Sequence, residues 1–274
     1  MTSARSMTLA RYAEELESTG KTYFTRESAM AMLGTSHGAF LDAAARLAKR
    51  GRIVMPRRGF YVITPTRFLK WGAPPPNWYV DAMMKEAGRP YYVALLKAAE
   101  LHGAAHQAVM EFQIVTDRQW KPIRAGRSKI VFYYRKDLDA IQMGIGDRKT
   151  DTGSMRVSSP ALTALDLIRY PTASGGLDRA ASVLNELATE IDPAQLRELL
   201  PAFERSVVQR LGYVLQTVGH EASASVLSDY LSSQNIPWIE LDPSETSRPE
   251  WAGEPERDQR WHVVVRRSIE IDEQ

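Results

Sequence analysis

The chain has no cysteine among its 274 residues. That excludes a disulfide scaffold, a Cys-ligated zinc or iron–sulfur site, and a thiol nucleophile, and it points to a cytosolic address. No run of 18 or more apolar residues occurs, so no membrane-spanning helix is expected. Met1 to Met7 lacks an apolar stretch, and nothing there resembles a signal peptide. An excess of one charge is missing too, with 35 Lys+Arg against 33 Asp+Glu.

The even balance hides an uneven distribution. Residues 1–70 carry twelve basic and five acidic residues, a net +7, while the remainder carries 23 and 28, a net −5. A compact basic segment suits a polyanion, because each neutralised phosphate releases condensed counterions. The acidic remainder reads as solvated surface that would repel DNA and orient the basic part. Near residue 72 the composition turns to TPTRFLKWGAPPPNW, and three successive prolines, Pro74 to Pro76, favour an extended spacer. The expectation is an α+β chain of two domains, a winged helix-turn-helix over 1–72 and a larger helix-rich α+β domain over 73–274. A polar stretch from Asp242 to Arg260 reads as a surface loop.

The winged-helix reading rests on spacing. Leu9, Tyr12, Ala13 and Leu16 line one face of a first helix. Thr25 caps a short second helix, Arg26 to Leu33, and Gly34 supplies the turn to a third. Ser36 caps that third helix, which buries Phe40, Ala44 and Leu47 and runs to about Lys49, with Gly51 closing it. Arg52–Met55 and Phe60–Ile63 then form a hairpin with Arg57 and Arg58 at its tip. In this arrangement the start of the third helix enters the major groove. Thr35, Ser36, His37, Ala39 and Phe40 occupy that start, with Thr25 close behind in the helix-turn-helix. Arg46, Lys49 and Arg50 would meet phosphates, and Arg57 and Arg58 would form the wing contact.

Beyond residue 72 the expected order is helices at Tyr79–Ala87 and Tyr92–His102, strands at Phe112–Val115 and Ile130–Tyr134, and then helices opened by Ser159-Pro160, Leu177, Asp192-Pro193 and Pro201. A further helix is expected at Val226–Leu231, then strands at Trp238–Leu241 and Trp261–Val265. Catalytic and metal chemistry find little support there. His102 and His106 have the i, i+4 spacing of a zinc pair, but Gly103 interrupts them and no third ligand follows. Gly144-Ile145-Gly146 reads as a hairpin turn, not a dinucleotide loop. Glu111-Phe112-Gln113 places Gln where a metal-dependent nuclease needs Lys. No cofactor is expected.

Four segments resemble one family. These are GRIVMPRRGFYVI (Gly51–Ile63), PYYVALLKAAELHG (Pro90–Gly103), RVSSPALTALDLIRYP (Arg156–Pro171) and RLGYVLQTVG (Arg210–Gly219). Their order and spacing resemble AbiEi antitoxins of type IV toxin–antitoxin, or abortive-infection, systems. Ala161-Leu162 departs from the pattern, which has a basic residue after Ser-Pro in many relatives. The resemblance implies a repressor that binds inverted repeats in its own promoter, with self-association on DNA. It also implies a second domain that counters a nucleotidyltransferase-like toxin without a stable complex. The alternative is a ligand-responsive winged-helix transcription factor whose larger domain senses a small molecule.

Overall fold

The computed structural model describes residues 7–104, 109–247 and 255–271. The chain begins with α1 (Leu9–Ser18), β1 (Tyr23–Thr25), α2 (Arg26–Leu33), α3 (His37–Lys49), β2 (Ile53–Arg57) and β3 (Phe60–Ile63). It continues through α4 (Val80–Glu86), β4 (Tyr91–Val93), α5 (Leu95–Leu101), β5 (Glu111–Thr116), β6 (Ile123–Ala125) and β7 (Ser128–Tyr134). Next come β8 (Ile145–Thr150), β9 (Gly153–Ser158), α6 (Pro160–Arg169), α7 (Leu177–Leu187) and α8 (Pro193–Leu199). The chain closes with α9 (Arg205–Thr217), α10 (Glu221–Ser232), β10 (Ile239–Glu240), β11 (Glu256–Asp258) and β12 (Val263–Val265). Among the described residues no helix is long and apolar enough to cross a membrane.

Two compact units form. The first comprises Met1–Tyr91, Met110–Tyr134 and Asp147–Arg156; the second comprises Tyr92–Val109, Arg135–Gly146 and Val157–Gln274. The Pro74–Pro76 stretch therefore lies inside the first unit, and compaction does not follow a single cut at residue 72. Pro74 and Pro76 are buried, and Pro76 starts a short 3-10 turn to Trp78. The prolines pack instead of spacing two bodies.

In the first unit, three helices and the antiparallel sheet β1-β3-β2 enclose one core. Leu9, Tyr12 and Ala13 from α1 meet Phe40, Ala44 and Leu47 from α3, with Phe24, Tyr61 and Ile63 of the sheet. Phe24 stacks on Tyr61 at 5.3 Å, and Phe40 meets Tyr61 edge-on at 5.4 Å, geometries that suit the ring quadrupoles. The same unit holds β7 between antiparallel β6 and parallel β5.

The second unit is mostly helical. Ser159 accepts from the Leu162 amide, and Pro160 occupies the first helical position of α6, where its missing N–H costs nothing. Asp192 caps α8 through the Ala194 amide at 2.9 Å. Residues 161–168 of α6 are all buried, so this helix is the centre of the unit. Against it, Gly144 leaves no room for a side chain, since a Cβ would stand 2.9 Å from Leu162 Cβ.

Several elements differ from the sequence expectation. The helix expected from Tyr92 begins at Leu95, because Tyr91–Val93 is an aromatic and β-branched run that forms β4. Gly144-Ile145-Gly146 is not a hairpin turn; it ends a 3-10 turn and opens β8. The helix expected from Pro201 starts at Arg205, and Pro201 sits in a 3-10 turn before it. Part of the expected 242–260 loop is the strand β11, paired with β12.

Candidate nucleic-acid interface

The helix-turn-helix is built by local hydrogen bonding. The Thr25 hydroxyl accepts from the Ser28 amide at 3.1 Å, and the Ser28 hydroxyl accepts from the Thr25 amide at 3.1 Å. This reciprocal cap satisfies two donors at the start of α2. Gly34, at φ 58°, turns the chain left-handed into α3, a conformation that glycine adopts without steric cost. Ser36 then accepts from the Ala39 amide at 3.3 Å and starts α3.

The recognition-helix candidates separate by exposure. Ser36, His37 and Ala39 are exposed, and Thr35 is half-buried. Phe40 is the correction: it is 1% exposed, packed against Tyr61, and unavailable to a base. Its i+4 and i+7 relation to Ala44 and Leu47 puts it on the core stripe. The exposed neighbour on α3 is Leu41, 43% exposed, which periodicity alone did not single out.

At the other end of α3, Arg46, Lys49 and Arg50 are exposed. Among the described residues none of them pairs with a carboxylate. Their charges complement the negative end of the helix dipole and leave every N–H donor open to solvent. In contrast, Arg11, Arg26 and Arg52 pair with Glu15, Glu27 and Glu17.

The wing is irregular. Ile53 and Val54 pair with Ile63 and Val62, but the register shifts before Arg57, which pairs with Phe60. Pro56 stands within this bulge, where its missing N–H breaks no ladder bond. Arg58-Gly59 forms the turn, with Gly59 at φ 82°, and the Gly59 carbonyl accepts from the Arg26 amide at 2.8 Å. The tip is thus tied to the start of α2. Arg58 is exposed, whereas Arg57 is half-buried and lies over the Trp120 ring at 5.6 Å.

A second basic feature escaped the charge division at residue 70. Residues 118–134 hold Arg118, Lys121, Arg124, Arg127 and Lys129 with no acid among them. Arg124, Arg127 and Lys129 lie in the β6–β7 hairpin, Arg118 and Lys121 precede it, and β6 packs beside β2 of the wing. Arg127 donates its amide to the Trp71 carbonyl at 2.9 Å and lays its guanidinium over the Trp71 ring. Arg118, Lys121, Arg124 and Arg127 are exposed, and among the described residues none pairs with a carboxylate. Lys129 pairs with Glu111 across β5 and β7. A local count over 118–134 would have revealed this run; averaging it into a net −5 concealed it.

In the second unit the polar groups serve structure. His102 Nε2 lies 2.7 Å from the Ser158 carbonyl, which only accepts, so Nε2 carries the proton. His106 lies outside the described residues. Tyr92 donates to Asp166 Oδ2 at 2.7 Å, inside the core. Arg135, 4% exposed, donates to the Ala202 carbonyl at 2.7 Å and lies over Phe203. Burial pushes the Asp166 carboxyl up to about 6, against the lowering effect of the Tyr92 hydrogen bond and the Arg135 charge. Among the described residues no group of three or more His, Asp or Glu is placed to hold a metal ion.

Two segments of the chain match known families. Residues 11–64 match the family described as transcriptional regulator, AbiEi antitoxin. Residues 92–217 match the AbiEi antitoxin C-terminal domain. The chain belongs to the AbiEi antitoxin family. This AbiEi-family protein thus joins a transcriptional-regulator domain to an antitoxin domain, which assigns it an antitoxin and regulator role. The first matched segment covers most of the winged helix; the second takes in α5 to α9 of the second unit together with β5 to β7 and most of β8 and β9 of the first. No curated protein matches the chain. Its fold is similar to that in a structure titled "Crystal structure of RV2827C protein from Mycobacterium tuberculosis", at 17% identity and a TM-score of 0.65, over 93% of this chain and 90% of that one.

Proposed function

We propose that this AbiEi-family protein binds double-stranded operator DNA as a repressor of its own operon and counters a nucleotidyltransferase-like toxin. The observation that carries the DNA reading is the set of exposed cations without carboxylate partners on the winged helix: Arg46, Lys49 and Arg50 on α3, and Arg58 at the wing tip. A cation already paired to a carboxylate gains little from a phosphate, whereas an unpaired one releases a counterion for each contact. Thr35, Ser36, His37 and Ala39 approach base edges from the start of α3, with Thr25 holding the preceding helix. The β6–β7 hairpin adds sequence-independent backbone contacts. Such binding is to inverted repeats, two copies meeting on the DNA. The antitoxin segment acts without forming a stable complex with the toxin and without catalysis of its own.

The test is titration of a duplex carrying the DNA upstream of its own reading frame, across salt concentrations. Replacing Arg46, Lys49 and Arg50 together with Ala should weaken binding at every sequence and reduce the salt slope by about three. Unchanged affinity and slope would remove the assignment. For the toxin, co-expression should restore growth even where purification of either protein recovers none of the other.

One observation favours a second reading, a ligand-responsive regulator. A cavity of about 460 Å³ opens within the first unit, lined by Tyr23, Trp78, Asp81, Glu86 and Thr152 among others. A small molecule that shifts operator affinity, together with no effect on a toxin, would favour it.

A further inference from the structure

The sequence presents Arg57 and Arg58 as an equivalent pair at the wing tip, and the structure separates them. The strand register shifts between Val54 and Arg57, and such bulges re-aim the residues beside them. Its guanidinium settles over the Trp120 ring, 5.6 Å from the centroid. Trp120 in turn packs on Phe132 of β7, ring centroids 5.0 Å apart. The result is a chain of contacts, Arg57 over Trp120 and Trp120 tilted against Phe132, that runs from the wing into the β6–β7 hairpin, beside the packing of β2 on β6. Arg58 remains exposed at the turn.

We infer that Arg57 is a positioning residue of the DNA-binding wing: its contact with Trp120 sets the wing's angle, and Arg58 alone makes the wing's phosphate contact. This rests on the DNA-binding reading above. The physical case is that β1 and the Gly59–Arg26 hydrogen bond hold the β3 side of the wing, whereas the β2 side, where the bulge interrupts the ladder, is free to move unless something packs against it. A guanidinium over an indole face supplies that packing and keeps its charge. A wing held at one angle does not lose that freedom on binding, so the staple raises affinity without touching DNA. It also means that residues outside the winged helix, Trp120 first among them, shape how the winged helix binds.

Five full-length variants test this on the upstream duplex: R57A, R58A, W120A, W120F and the double variant R57A/W120A. Arg58→Ala should lower the salt slope by about one. Arg57→Ala and Trp120→Ala should each weaken binding about fivefold with the slope unchanged, and the double variant should be no weaker than either single one. Trp120→Phe keeps a ring face and should bind within about twofold of wild type. Amide exchange at Arg58 and Gly59 should quicken in both R57A and W120A. A slope that falls in R57A as in R58A, or wild-type binding by W120A, overturns the inference. If the wild-type protein binds no DNA, the functional reading fails. Even then, unchanged exchange at the wing in R57A and W120A overturns the staple, and quickened exchange in both supports it.

Discussion

On α3, Arg46, Lys49 and Arg50 are exposed, and among the described residues none has a carboxylate partner. In the second unit, Arg169 binds Glu204, Arg260 binds Glu221, Arg266 binds Glu240, and Arg267 binds both Asp178 and Glu245. The charge is the same and the fate is opposite. Where acids are at hand, the guanidinium fork closes on them and becomes part of the scaffold. Where acids are withheld, the charge stays open to solvent. The difference separates the surface proposed to meet a polyanion from one whose charges are spent on ion pairs within the chain.

Glycine substitutions give the largest expected break between the regions. In α9, a Cβ on Gly212 would fall 2.0 Å from the Trp261 ring, a fully buried side chain. Gly212→Ala should destabilise the protein by about 4 kcal/mol in denaturant unfolding; a loss below about 1 kcal/mol would mean that the antitoxin core tolerates repacking.

Proton linkage comes next. The Asp166 carboxyl lies at about 6 in the fold, against an ordinary 3.8. Between those values the folded protein holds a proton that the unfolded chain has released. Stability from this group is therefore greatest below about pH 4, falls as pH rises, and is lost above about pH 6. The contribution is about 3 kcal/mol at most. Subtracting the pH profile of Asp166→Asn from that of wild type should isolate this fall, and a flat difference would count against it.

Removing a paired arginine should cost less. Arg267→Ala strips Asp178 of contacts at 2.8 and 2.6 Å and should cost about 2 kcal/mol of stability. It should leave the salt slope of DNA binding untouched, in contrast to the cations of α3. A reduced slope would show that the second unit's arginines also serve DNA.

The smallest effect on folding is expected at Gly38 of α3, where a Cβ meets nothing within 4 Å. Gly38→Ala should stabilise the helix by about 0.5–1 kcal/mol. The same variant should weaken operator binding, because the added methyl stands on the face proposed to enter the groove. Operator affinity equal to wild type would move the reading face elsewhere on the helix.

Much of the winged helix was legible because its signals are local. Capping by Thr25 and Ser36, the Gly34 turn and the Phe40, Ala44, Leu47 stripe each span a few residues, and each is where spacing put it. The candidate interface was legible only in outline. Phe40 belongs to the core because the i, i+3, i+4 rule outweighs its place near the helix start. The hairpin cations were missed because charge was summed over a long remainder.

Composition and periodicity by themselves determined the helices of the regulator segment, the basic character of its surface, and the exclusion of thiol and Cys-metal chemistry. Those are properties of neighbouring residues and survive without a fold. Only the tertiary structure decided that the tip arginines divide, one against Trp120 and one in solvent, and which second-unit arginines are spent on carboxylates. Residues 57 and 120 stand 63 positions apart, and Arg267 lies 89 from Asp178. No local pattern encodes such pairings; they exist only once burial brings distant segments within reach.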